Sequence, residues 1–290
     1  MTTHTANIPL PLGTEESLVA CENAAATLGW TIQEQQRTWL AIQRPLSSWY
    51  IYGPVRAEFT LSPQAQGTLV KFKATVFGWP AGFERVVNEL LNAFALQTLG
   101  PDALSWPPVY PHYSVIAVWL LGLVLILTVI LSPFGIMTIL STKNAKKEHE
   151  KALQQRQRTI QETGSELIST AEYVGGHPLF PFACPVILSL SRVELVIYGF
   201  IGQYIYRVAF ILLSDIIQPS VGRSKSATEV YRDGYRTIDV YEESPFLSII
   251  FKLEGETYQA SFESFDDETT PQEWYNQING LRYQVKKAHD

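Results

Sequence analysis

The sequence predicts a membrane-anchored α+β protein: a small two-layer α/β N-terminal domain, one transmembrane helix, and a β-rich C-terminal domain closed by a helix. Three observations carry this expectation. No Asp, Glu, Lys or Arg occurs from Ala103 to Thr142, although charges are spread through the rest of the 290 residues. On both sides of that gap, short β-patterned runs alternate with turn signals. Each flank also holds a segment with an apolar stripe at helical spacing. The boundaries that follow are 8–104 for the N-terminal domain, 112–142 for the span, 143–171 for a helical juxtamembrane linker and 172–290 for the C-terminal domain.

The span is read from Ser114 to Leu131, SVIAVWLLGLVLILTVIL, after which Ser132-Pro133-Phe134-Gly135 precedes a further apolar run to Leu140. A helix of about 20 residues crosses about 30 Å of hydrocarbon, so the segment is long enough, and Pro133 is tolerable as a kink. Trp106, Tyr110, Tyr113 and Trp119 gather at its N-terminal end, where amphipathic rings favour the headgroup layer. Lys143, Lys146 and Lys147 follow its other end, and the nearest preceding cation is Arg85. The positive-inside bias then puts the C-terminal domain in the cytoplasm and, for a single pass, the N-terminal domain outside. A turn at Ser132–Gly135 would instead keep both domains cytoplasmic, although Phe134 to Thr142 is short for a second crossing. The lipid bilayer is thus the first expected partner.

In the N-terminal domain, Leu18, Cys21, Ala25 and Leu28 recur at helical spacing, and Gly29 follows as a C-cap. Strands are expected over Thr31–Gln36, Trp39–Gln43, Arg56–Leu61 and Thr68–Phe77, the last alternating Val70, Phe72, Ala74 and Val76 with Lys71, Lys73 and Thr75. Phe83 to Phe94 gives a second amphipathic helix that Gly100-Pro101 stops. The linker carries Leu153, Ile160 and Leu167 at intervals of seven, a seam through which a homodimer could form.

In the C-terminal domain, β-rich stretches run over Val186–Tyr198, Tyr204–Leu213, Tyr235–Tyr241, Phe246–Leu253 and Thr257–Phe265. The last element is a helix with Thr270 as N-cap, Pro271 in its first turn, Glu273 completing a capping box, and Trp274, Ile278, Leu281 and Val285 along one face. Successive strands, the phrase Phe210-Ile211-Leu212-Leu213-Ser214-Asp215-Ile216 before a polar loop, a late strand pair and a closing Trp-bearing helix together resemble a pleckstrin-homology-like domain of the GRAM or bacterial type. The resemblance covers about 110 residues and implies a barrel that binds proteins or lipid headgroups. It also implies a first hairpin loop rich in Lys and Arg, whereas Gly199-Phe200-Ile201-Gly202-Gln203 has neither, so phosphoinositide recognition is disfavoured. Arg223, Lys225, Arg232 and Arg236, in or beside the loop after Pro219, form an alternative anion or partner contact.

Several classes are set aside. A net charge of −6 lacks the basic footprint that nucleic acid requires. Cys21 and Cys184 fall in separate domains, so no disulfide framework is expected. His4, His112, His149, His177 and His289 are scattered, and no phosphate loop, dinucleotide turn or nucleophile elbow occurs, so neither cofactor, metal nor catalytic residue is expected. The expected function is a non-catalytic, membrane-tethered adaptor with an unknown protein partner. The alternatives are an accessory subunit of a larger membrane complex and an enzyme of unrecognised type.

Overall fold

The computed structural model describes residues 2–44, 54–64, 67–76, 83–107, 132–178, 180, 183–233, 236–265 and 269–289. Two compact units emerge: 1–103 joined with 164–290, and 104–163.

The N-terminal part of the first unit runs β1 (Thr2–Leu10), α1 (Thr14–Thr27), β2 (Thr31–Gln36), β3 (Trp39–Gln43), β4 (Val55–Gln64), β5 (Gly67–Val76) and α2 (Phe83–Leu99). The strands form one antiparallel sheet in the order β1-β5-β4-β3-β2. Strands β2 and β3 have the predicted bounds, and β1 is an addition that the sequence reading missed. Alternation places Val55, Ala57, Phe59 and Leu61 of β4 on the buried face, where Phe59 meets Phe72 at 5.1 Å and Phe94 of α2 at 5.6 Å. Helix α1 starts where the Glu16 carboxylate accepts from the Gly13 N–H, and it ends before Gly29, whose φ of 67° suits a residue without Cβ.

The C-terminal part runs β6 (Leu167–Gly175), β7 (Cys184–Leu190), β8 (Glu194–Ile201), β9 (Tyr204–Leu212), β10 (Ile216–Asp233), β11 (Arg236–Leu253) and β12 (Glu256–Glu263), and closes with a helix over Pro271–His289. All pairings are antiparallel, in the order β10-β11-β12-β6-β7-β8-β9. The closing helix has the predicted reciprocal cap: Thr270 N–H donates to Glu273 Oε2 at 2.8 Å, and Glu273 N–H donates to Thr270 Oγ1 at 3.2 Å. Trp274, Ile278 and Leu281 enter the core of this sheet, and the Trp274 indole N–H finds Ser169 Oγ at 2.9 Å.

Three details depart from expectation. The run Val186–Tyr198 is two strands, β7 and β8, turned by Ser191, whose hydroxyl accepts from the N–H of Val193 and of Glu194. The polar loop after Pro219 is β10, an 18-residue strand in register with β11. Strand β12 pairs with β11 only from Leu247 onward, so among the described residues the outer part of the β10–β11 hairpin is a two-stranded ribbon. Finally, β6 begins the sheet within the segment read as linker, so the first strand pair is β6–β7, and the sequence between them also lacks Lys and Arg.

In the second unit, α3 spans Ser132–Thr163; the closing helix is accordingly α4. Arg156 donates to the Pro107 carbonyl at 2.9 Å, Thr159 Oγ1 donates to that of Ser105 at 2.8 Å, and the Arg156 guanidinium lies 4.7 Å from the Trp106 ring centroid. This corrects the membrane-anchored fold class. Among the described residues no helix is long and apolar enough to cross a membrane. Residues 132–142 of the expected span are the start of α3, a helix that continues through Lys, Glu and Arg to Thr163. Pro133 lies in the first turn of the described helix, where a missing N–H costs no helical bond. The expected single-pass tether is not supported, and with it falls the assignment of one domain to the cytoplasm and the other outside. The run 114–131 lies outside the described residues.

Candidate functional site

The two sheets of the first unit meet where β1 and α2 touch the β8–β9 hairpin. Tyr206 of β9 is buried among the side chains of the N-terminal core, and its hydroxyl donates to the Pro9 carbonyl at 2.6 Å. Gly199 on β8 makes room for that ring, because a Cβ there would lie 2.9 Å from Tyr206 Cζ and Oη. At the hairpin tip, Gln203 N–H donates to Asn92 Oδ1 of α2 at 2.8 Å. Backbone and side chain thus lock the hairpin against the first layer.

Beside this junction lies an open cleft of about 420 Å³. Consecutive residues His4 to Pro9 of β1 form one wall, and Asn88 and Leu91 of α2 continue it. The other wall comes from Glu172 on β6, Ala183, Cys184 and Pro185 at the start of β7, and the hairpin residues Gly199, Phe200 and Gly202. Burial pushes the Cys184 thiol up to about 12, and the Glu172 carboxylate adds to the shift. The Tyr206 phenol is raised well above its ordinary value, chiefly by burial and further by Cys184. Both groups are therefore neutral near pH 7, and the cleft presents hydrogen-bonding groups without a thiolate or phenolate. Among the described residues no three His, Cys, Asp or Glu side chains come together as a metal site.

Behind the cleft, Tyr173 stands opposite Cys184 in the β6–β7 register. Its hydroxyl donates to the Phe180 carbonyl at 2.7 Å and accepts the His177 N–H at 2.6 Å, and burial raises its pKa to about 12. His177 is buried with its ring stacked 5.2 Å from Phe251, and burial lowers its basicity against an opposing hydrogen bond with the Phe210 backbone. This cluster ties His177 and Phe180 to β6.

The residues singled out from the sequence lie elsewhere. Trp106 is buried under Arg156, not displayed at a headgroup layer. Tyr110, Tyr113 and Trp119 lie outside the described residues. Lys143, Lys146 and Lys147 belong to α3, with Lys147 exposed. Arg223, Lys225 and Arg232 lie on β10, and Arg236 on β11 pairs with Asp233. From Arg223 to Asp233 the ribbon runs about 33 Å at about 3.3 Å per residue, so these cations are strung out along it. The cleft residues escaped the sequence reading because they come from separate segments that only the tertiary fold brings together. The one signal available was the period-two pattern of Thr2–Leu10, in which Ala6, Ile8 and Leu10 alternate with Thr5, Asn7 and Pro9.

No family model matches the chain, and no curated protein matches it. Among solved structures, 35% of the chain is similar to 99% of MLL2253 from Mesorhizobium loti, at 10% identity and a TM-score of 0.29. An inhibitor-bound Vav1 structure is similar over 70% of this chain and 53% of that one, at 9% identity and a TM-score of 0.28. DynU16, from the dynemicin biosynthetic locus, is similar over 98% of this chain and 93% of its own, at 9% identity and a TM-score of 0.24. Likenesses this remote assign neither a family nor an activity.

Proposed function

We propose that this protein is a non-catalytic adaptor, in which a pleckstrin-homology-like C-terminal domain and the N-terminal sheet together hold a protein partner in the cleft between them. The observation that carries this reading is the cleft itself: an open groove of about 420 Å³ beside a hydrogen-bonded junction of two sheets. Its lining supports binding over covalent chemistry, because the thiol and the phenol within it are held protonated by burial. The pleckstrin-homology-like reading is supported by strand order. A four-strand meander β6–β9, a three-strand meander β10–β12 and a capping helix follow one another, and β12 closes onto β6.

Ala183 is exposed on the cleft wall, so Ala183→Trp fills the groove without disturbing a core. Co-purification of the full chain from its native cells, with and without cross-linking, tests the proposal. A stoichiometric protein partner that the Ala183→Trp variant loses is the expected result. A partner retained by that variant, or none under either condition, refutes it.

A second reading, an accessory subunit of a larger assembly, is favoured by the β10–β11 ribbon. Two strands without a third among the described residues are marginal in water and gain from a neighbouring surface. Shortening the ribbon at the 233–236 end should then abolish assembly while leaving cleft binding intact.

A further inference from the structure

We infer that the cleft takes its partner as an extended strand, added to the outer edge of β1 through main-chain hydrogen bonds. The inference rests on the adaptor reading and specifies its chemistry.

Strand β1 ends the order of its sheet and pairs, among the described strands, with β5 alone. Pro9 fixes which of its residues face outward. In the register Pro9 stands opposite Leu69, and a residue without an N–H cannot exchange both bonds of a hydrogen-bonded pair. Pro9 is therefore at a position whose main-chain groups point away from β5, and its carbonyl indeed receives the Tyr206 hydroxyl from the other side. The register runs unbroken from Thr2 to Leu10, so alternation gives Asn7, Thr5 and Thr3 the same orientation. Their N–H and C=O groups form a row of donors and acceptors about 14 Å long, at about 3.4 Å per residue. His4 to Pro9 also line the cleft, so this row runs along its wall.

Exposed edges are ordinarily blunted by charge, by a bulge or by proline. Strand β2, the other end of the same sheet, has Glu34 and a register shift between Ile32 and Glu34. In the second sheet, edge strand β9 carries Arg207, ion-paired with Glu194 at 2.7 Å, and edge strand β10 carries Pro219, Arg223 and Lys225. Strand β1 reads TTHTANIPL, with no Asp, Glu, Lys or Arg and no bulge. Its single proline blunts only the end that Tyr206 already covers. What recognises such an edge is another extended main chain. Glu172 is the one carboxylate among the described lining residues, so the opposite wall favours a basic side chain on the incoming strand.

The test uses the full chain and a capped heptapeptide of alternating valine and lysine, read by fluorescence anisotropy. A second peptide of the same sequence carries methyl groups on alternate backbone nitrogens, and a protein variant carries Thr5→Pro. Because the Thr5 N–H points outward, that variant should keep the β1–β5 pairing, just as Pro9 does, with an unchanged circular dichroism spectrum. Saturable binding of the first peptide, weakened about tenfold or more by either change, is expected from the loss of main-chain bonds. Equal binding of both peptides to the unaltered protein shows attraction to net charge alone and overturns the inference, as does no binding at millimolar peptide. The unaltered chain should sediment as a monomer; a dimer that Thr5→Pro dissolves means that a second copy fills the edge, which also overturns it. A native partner lost by Ala183→Trp but retained by Thr5→Pro leaves the adaptor reading standing and removes only the strand-addition mode.

Discussion

The hydroxyl of Tyr206 donates to the carbonyl of Pro9 across 2.6 Å, and through this bond a strand of the second sheet seals one end of the edge of the first. The phenol is 7% exposed, so water cannot readily replace it as a donor. Tyr206→Phe therefore keeps the packing and leaves the Pro9 carbonyl without its partner. A loss of about 0.5–1.5 kcal/mol in urea unfolding is expected, the usual net contribution of one hydrogen bond to a partly buried acceptor. A loss near zero would mean that the two sheets are held together by side-chain packing alone.

Trp274 and Ser169 make the corresponding link inside the C-terminal domain, where the indole N–H and the hydroxyl meet at 2.9 Å and both residues are fully buried. Ser169→Ala strands the indole donor and should cost about 1–3 kcal/mol. Trp274→Phe removes that donor and some volume together. The double variant should be less destabilised than the two single losses added, by about 0.5–3 kcal/mol, since one bond cannot be lost twice. Strict additivity in a denaturation double-mutant cycle would contradict the bond.

His177 gives the fold a dependence on acid. Burial lowers its basicity, so the native state resists the proton that the unfolded chain accepts below about pH 6.5. The stabilisation is complete above that pH and is lost as the pH falls from there toward the lowered native value. Its slope is at most about 1.4 kcal/mol per pH unit. His177→Phe preserves a flat ring against Phe251 and cannot titrate. Its melting temperature should fall less between pH 7 and pH 5 than that of the unaltered protein, and parallel curves would refute the assignment.

Cys184 should be a slow thiol despite lining the cleft. Its ionisation is pushed up to about 12 first by burial and then by Glu172. At pH 9, Glu172→Gln should speed alkylation by iodoacetamide roughly twofold to fivefold, as expected for removing one neighbouring charge. Unfolding in urea should speed it further, because burial is the larger cause. Intact-mass time courses read both effects, and an unchanged rate in the Glu172→Gln variant would exclude the electrostatic contribution.

Local signals carried much of this fold. Thr31–Gln36 and Trp39–Gln43 have their predicted bounds, and the Thr270–Glu273 cap forms as its spacing required. What failed depended on tertiary context. Strand β1 is largely polar, and it is a strand because β5 offers a complete register. Strand β10 reads as a loop, since polar residues outnumber apolar ones in it, but β11 satisfies its main chain irrespective of side chains. The turn at Ser191 has neither Gly nor Pro and works through one hydroxyl. The cleft was illegible for a different reason: its chemistry belongs to the meeting of β1, α2, β7 and the β8–β9 hairpin, and no single segment announces it.

Gly202 offers the sharpest check on how that hairpin is seated. Its φ is 61°, and a Cβ there would lie 2.2 Å from Asn92 Oδ1, the same atom that accepts the Gln203 N–H. Gly255, in the β11–β12 turn, has a φ of 90° and open space around the corresponding position. Alanine at either site incurs the left-handed backbone cost of about 1–2 kcal/mol. Only Gly202→Ala must also push Asn92 aside and break the hydrogen bond between α2 and the hairpin, adding about 1 kcal/mol or more. Gly202→Ala should therefore melt several degrees below Gly255→Ala and should enlarge the cleft, exposing Cys184 to faster alkylation. Equal melting temperatures with equal alkylation rates would mean that the hairpin is not seated on Asn92.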